Sequence, residues 1–186
     1  VARPGELPIA PGVTARAFAR AQERWGEAGC LAAAPRGAIV KTVGDGLFLS
    51  FPTAGDAVAA TLAMMAHVAA LGRREELPLA IRAGLHEGPC YLVRGADRAD
   101  LFGRTVNLAS RLAAVGGGQQ LALLDRLLAQ PAALAALDHD QLRVERRDVE
   151  LRGVRGTQRV ALVAHLDAAV VTTGRHPRPA LAATGA

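Results

Sequence analysis

At 186 residues and a formal net charge of +5, the chain fits one domain with room for a proper core. Hydrophobic residues make up 51% but aromatics only 3%, so that core is built mainly from Ala, Leu and Val. The pI near 10.5 invites a nucleic-acid partner, yet the arginines are scattered among Asp and Glu, and aromatic base-stacking platforms are scarce. We therefore expect no nucleic acid.

Two cysteines, Cys30 and Cys90, do not make a disulfide framework in a chain of this size, which points to a reduced, cytoplasmic setting. The opening Val1-Ala2-Arg3-Pro4-Gly5-Glu6 has neither the basic start nor the apolar run of a signal peptide. The most apolar stretch, 57–71, contains His67, is bounded by Asp56 and Arg73-Arg74, and falls short of the ~20 residues of a span. No membrane contact is expected of it. Since the chain opens on Val1 rather than Met, a longer parent protein is expected.

In chain order, residues 1–12 are Pro- and Gly-rich and read as an extended lead-in. A helix is predicted over 13–34, where Ala17, Phe18, Ala21 and Trp25 recur at helical spacing, closed by Pro35-Arg36-Gly37. Strands at 38–43 and 47–51 meet at Gly44-Asp45-Gly46, a hairpin signal. Thr53 offers an N-cap with Asp56 completing a capping box, and the helix beyond carries Val58, Leu62, Met65 and Ala69 on one stripe.

Strands at 79–85 and 90–93 read as a second pair, turned at Glu87-Gly88-Pro89, with Cys90 a buried strand residue. A polar loop is expected over 94–103, then a helix over 104–115 stopped by three glycines. A strand at 120–124, a short helix at 125–136 interrupted by Pro131, and strands at 142–151 and 159–165 complete the body. The units are thus 1–12, a body over 13–166, and a loose tail over 167–186. This alternation predicts an α+β fold, a sheet covered on one face by helices. Both faces of the first hairpin are apolar, so a partner subunit could cover the second.

Lys41 is the only lysine among 22 basic residues, in Lys41-Thr42-Val43-Gly44-Asp45-Gly46. An ammonium is a compact point donor that a guanidinium does not replace at a tight site. Asp45 between two glycines suits a hard cation such as Mg²⁺, although Asp-Gly is equally a good turn. Further on, Asp100-Leu101-Phe102-Gly103-Arg104-Thr105-Val106-Asn107-Leu108-Ala109-Ser110-Arg111 places Asn107 and Arg111 on one helix face. Such an edge could hold a ribose and a phosphate, or be a solvated face. His86 reads as a structural strand-end residue, and Asp138-His139-Asp140 as an exposed loop.

Together the two segments, with Arg82-Ala83-Gly84-Leu85-His86-Glu87-Gly88-Pro89 and Leu151-Arg152-Gly153-Val154, resemble the class III adenylate/guanylate cyclase catalytic domain from about Ala38 to His165. The resemblance implies a ferredoxin-like or palm-type sheet covered by helices. It implies that Asp45 binds one of a pair of Mg²⁺ (or Mn²⁺) ions, that Lys41 and Asp100 read an adenine, that Asn107 holds the ribose, that Arg111 stabilises charge on the α-phosphate, and that Arg152 helps hold the triphosphate. The implied reaction turns ATP into cyclic AMP and pyrophosphate at sites shared across a homodimer. The family's first metal aspartate would fall at or before Val1, since residues 1–37 hold no Phe-x-Asp strand; its strand is expected upstream. The alternative is a non-catalytic cyclase-homology module that dimerises or binds nucleotide.

Overall fold

Gln120–Leu124 is the strand around which the molecule is built: all five of its residues are buried. In the computed structural model, which describes residues 36–43, 46–77, 79–94, 99–137 and 141–167, the strands are β1 (Ala38–Val43), β2 (Gly46–Ser50), β3 (Arg82–Leu85), β4 (Tyr91–Arg94), β5 (Ala99–Phe102), β6 (Gln120–Leu124), β7 (Leu142–Glu150) and β8 (Thr157–His165). The helices are α1 (Ala54–Arg74), α2 (Arg104–Ala113), α3 (Asp125–Leu128) and α4 (Pro131–Ala135). The expected lead-in, the 13–34 helix, Asp138-His139-Asp140 and residues 168–186 lie outside the described residues.

One sheet has the order β3-β6-β8-β7, with β3 parallel to β6 and the other pairs antiparallel. Successive strand residues point to opposite faces, so β6 and β8 feed two cores. Leu121, Leu123, Ala161 and Val163 meet Val58, Leu62 and Met65 of α1, with Leu127, Leu128 and Ala133 of α3 and α4. On the other face Ala122, Leu124, Val160 and Leu162 meet Leu112, with Leu108 and Val115 packed alongside. Helices therefore cover both faces, not one as expected. A strand buried on both sides has no polar alternation to reveal which layer lies on each.

The paired strands expected at 79–85 and 90–93 do not pair. β3 takes β6 as its parallel neighbour, whereas β4 pairs antiparallel with β5 inside the segment expected to be a polar loop. Cys90 precedes β4 and is exposed, contrary to expectation, with its thiol free. The first hairpin does form: β1 and β2 pair from Ala38↔Ser50 to Val43↔Gly46. Its register slips between Ile39 and Lys41, leaving Val40 as an extra residue, and Lys41 then faces Phe48. Such a bulge re-aims the side chains that follow it.

Thr53 caps α1 as expected, its hydroxyl oxygen accepting from the Asp56 N–H at 3.1 Å. Asp56 in the first turn and Arg73 and Arg74 in the last complement the helix dipole. At 21 residues α1 is longer than the apolar run implied; by length and composition it could cross a membrane, but 56% of its apolar window is buried inside the fold. Val58, Leu62 and Met65 of the expected stripe are buried, and Ala69 is half-buried. α2 approaches β3 so closely that a β-carbon on Gly84 would collide with the Ala109 carbonyl and the Ala113 amide. That position accepts only glycine.

Candidate active site

Lys41 and Asp100 are 59 residues apart in sequence and in direct contact. The Lys41 Nζ donates to Asp100 Oδ2 at 2.7 Å. The other oxygen, Oδ1, accepts from the Leu101 N–H at 2.8 Å, so the carboxylate is fixed at both ends. Their side chains are 30% and 29% exposed, so the pair is partly open to solvent. The Lys41 hydrogen bond holds the Asp100 carboxyl below the usual carboxylate range; desolvation opposes this and the Leu101 N–H assists.

The pair joins two small sheets, β1-β2 and β4-β5, neither of which shares a ladder with the four-stranded sheet among the described residues. Two rings frame the ammonium: Phe48 at 5.8 Å and Phe102 at 5.5 Å from Nζ to ring centroid. Sequence reading missed both. Phe102 could have been found, since it lies two residues from Asp100 and shares its face of β5. Phe48 could not, because its place opposite Lys41 depends on the Val40 bulge.

β5 runs through Gly103 directly into α2, which carries the remaining helical candidates. Thr105 anchors the helix start by donating to the Pro89 carbonyl at 2.7 Å. Asn107 is exposed on this helix, its backbone N–H bonded to the Gly103 carbonyl at 3.2 Å. Arg111, one turn on, is half-buried, and its guanidinium lies against Gly153 in the turn between β7 and β8. Exposed Arg152 is in the same turn, so the structure places Arg111 beside the segment that carries it. Asn107 and Arg152 are thus left facing solvent, and Arg111 is steadied by packing against the turn.

Asp45, the expected metal ligand, lies outside the described residues. Among those described, no group of three or more His, Cys, Asp or Glu could hold a metal ion. The described side chains thus provide a donor–acceptor pair framed by rings and, farther along α2, a cationic edge.

The profile of the adenylate and guanylate cyclase catalytic domain matches residues 30–164. The chain belongs to that family. Solved structures agree on the fold. This cyclase domain is similar to the guanylyl cyclase Cya2, with a TM-score of 0.65, 22% identity, and 84% of this chain and 85% of that one covered. It is similar to an adenylate/guanylate cyclase/hydrolase from Silicibacter pomeroyi, with a TM-score of 0.64, 24% identity, and 81% and 86% covered. Against the adenylyl cyclase CyaB from P. aeruginosa the TM-score is 0.63, with 25% identity and 82% and 85% covered. No curated protein matched. The mixed sheet with helices is the class III cyclase fold, shared by cyclases of either purine.

Proposed function

We propose that this cyclase domain converts ATP to cyclic AMP and pyrophosphate, working as a homodimer in the cytoplasm. The observation that carries the reading is the Lys41–Asp100 contact at 2.7 Å. Adenine presents an acceptor at N1 beside a donor at N6. An ammonium only donates and an ionised carboxylate only accepts, so the pair complements that edge. Guanine presents a donor at N1 beside an acceptor at O6, the opposite order. With Asp100 fixed by the Leu101 N–H, reversing the pair requires rebuilding the site.

The roles of the other residues follow the same chemistry. Asn107 holds the ribose, Arg152 the triphosphate, and Arg111 meets negative charge growing at the α-phosphate as the 3′-hydroxyl attacks. A preorganised donor aimed at such charge typically contributes ~3 kcal/mol to the transition state. Two Mg²⁺ or Mn²⁺ ions, with Asp45 among their ligands, would supply activation of the hydroxyl and neutralisation of the leaving phosphates.

A second copy is supported by the apolar surface of β4 and β5. Tyr91 is 77% exposed, and its cross-strand partner Phe102 is 49% exposed; Leu92 and Val93 are also exposed. Tyr91, Val93 and Phe102 share one face of this two-stranded ribbon, which a second copy would cover. A free, exposed Cys90 fits a reducing compartment.

The test is a cyclic-nucleotide assay with ATP and with GTP, in Mg²⁺ and in Mn²⁺, on this chain and on an N-terminally extended one. Cyclic AMP formation in preference to cyclic GMP is expected from whichever form turns over. Lys41→Glu should erode the preference for ATP far more than it lowers the melting temperature. Unchanged discrimination against GTP in that variant would sink the purine assignment. Nucleotide binding without turnover in both forms would favour a non-catalytic module.

A further inference from the structure

The Lys41 ammonium has three close neighbours, and the ion pair is only one of them. A single contact between partly exposed charges fixes a long side chain poorly, because screening weakens it and the four-carbon stem keeps its freedom. Yet the ammonium also faces two ring systems, Phe48 at 5.8 Å and Phe102 at 5.5 Å, both inside the ~6 Å range over which a ring attracts a cation.

Neither ring is there by composition. The chain has four phenylalanines in 186 residues, and two of them converge on its one lysine. Each arrives by a separate structural device. The extra residue at Val40 shifts the β1-β2 register so that Lys41 is paired with Phe48. On β5, Phe102 follows Asp100 by two residues and so projects from the same face. The residue that accepts from the ammonium and the ring beside it are therefore carried by the same four-residue strand.

We infer that Phe48 and Phe102 are positioning residues: they hold the Lys41 ammonium in the place from which it reads the purine, and so set the purine preference. The inference rests on the purine reading above. The rings touch no reacting atom. They act by removing the other positions the ammonium could take, so that a base presenting a donor there meets a fixed donor instead of one that swings aside. Substitution of either ring by an aliphatic side chain frees the stem, and discrimination falls while affinity for the shared ribose and phosphates stays.

The single lysine makes the test direct. With ¹³C-labelled lysine the full chain gives one set of side-chain signals, without any assignment problem. Ring currents should displace the Lys41 ε-methylene signal from its free-amino-acid position. Phe48→Leu and Phe102→Leu should each return it part of the way, and Phe102→Trp should keep it displaced. In parallel, calorimetric titration with ATP and with GTP should show the ATP preference reduced roughly two- to fivefold by Phe102→Leu, the loss expected of one such contact at a partly exposed site, and restored by Phe102→Trp.

A lysine signal indifferent to both leucine variants overturns the inference. So does a displaced signal that moves in Phe102→Leu with the nucleotide preference unchanged. A wild-type chain that binds ATP and GTP equally, with the lysine signal still responding to the rings, overturns the purine reading and the preference claim with it, but leaves the ring frame standing. A loss of both nucleotides together in Phe102→Leu, with an unchanged melting temperature, assigns the ring to general binding and overturns the specificity role.

Discussion

The guanidinium of Arg111 rests against the bare α-carbon of Gly153: a β-carbon there would stand 3.1 Å from Nη1 and 3.6 Å from Nη2. The relationship joins α2 to the turn between β7 and β8, so the position of the cationic group depends on a turn 42 residues later in the chain. Gly153 has φ +69°, a conformation that other residues adopt only under strain. Nearby Gly156 has φ +71°, but a β-carbon added to it would meet nothing within 4 Å, which makes it a natural control.

Gly153→Ala and Gly156→Ala should cost similar stability, roughly 1–2 kcal/mol each from the backbone conformation. Only Gly153→Ala should also displace Arg111. Turnover should therefore fall in Gly153→Ala and Arg111→Ala but not in Gly156→Ala, with nucleotide affinity mostly retained, as steady-state kinetics beside calorimetric binding would show. An equal loss of binding and turnover in Arg111→Ala would make that residue a phosphate anchor.

Gly84→Ala tests the tightest of the glycine positions among the described residues. Because the added carbon would meet backbone atoms of Ala109 and Ala113, no side chain can turn aside to admit it. Overpacking of this kind typically costs ~1–3 kcal/mol, occasionally more. A clear drop in the denaturant midpoint with an unchanged slope is expected.

Asp100 predicts an acid dependence. Its folded carboxyl is held below the usual range chiefly by Lys41, so the unfolded chain takes up this proton first as pH falls. The contribution is fully present above ~4 and is lost as the pH drops through the folded value. Asp100→Asn should flatten the stability curve in that window and leave its slope near neutrality alone, as urea titrations at several pH values would record.

His86 predicts a second window. Burial and the charge of Arg126 depress its pKa, with Glu87 opposing, and its Nδ1 is buried with no partner among the described residues. Above ~6.5 both states hold a neutral ring and the group contributes no slope. As pH falls below that value the unfolded chain gains the proton first, and stability declines until the folded ring is protonated. His86→Gln should remove that decline between neutral pH and the acid range of Asp100.

The parts of this fold legible in the sequence are those decided within a few residues. The Thr53 cap, the buried stripe of α1 and the apolar runs of β6 and β8 each carry their signal locally. Strand partners do not: nothing around Leu85 tells it to lie beside Leu123 rather than turn back on Tyr91. β5 is hidden because Asp100 makes a short strand look like a polar loop. The same holds at the site. Lys41 stands out by residue type and Asn107 and Arg111 by helical spacing, whereas Asp100 and Arg152 come only from the family resemblance; Lys41 and Asp100 do meet in space. The Phe48 ring beside Lys41 and the glycine under Arg111 emerge only from register and turn geometry.

The wall that carries Lys41 and Asp100 is built from two short hairpins outside the main sheet, stitched to each other by an ionic contact. Such a wall should breathe on its own: amides of β1 and β5 exchange with solvent through brief partial openings, while those of β6 wait for the whole molecule to come apart. A nucleotide that bridges the two hairpins would slow the first class and leave the second untouched.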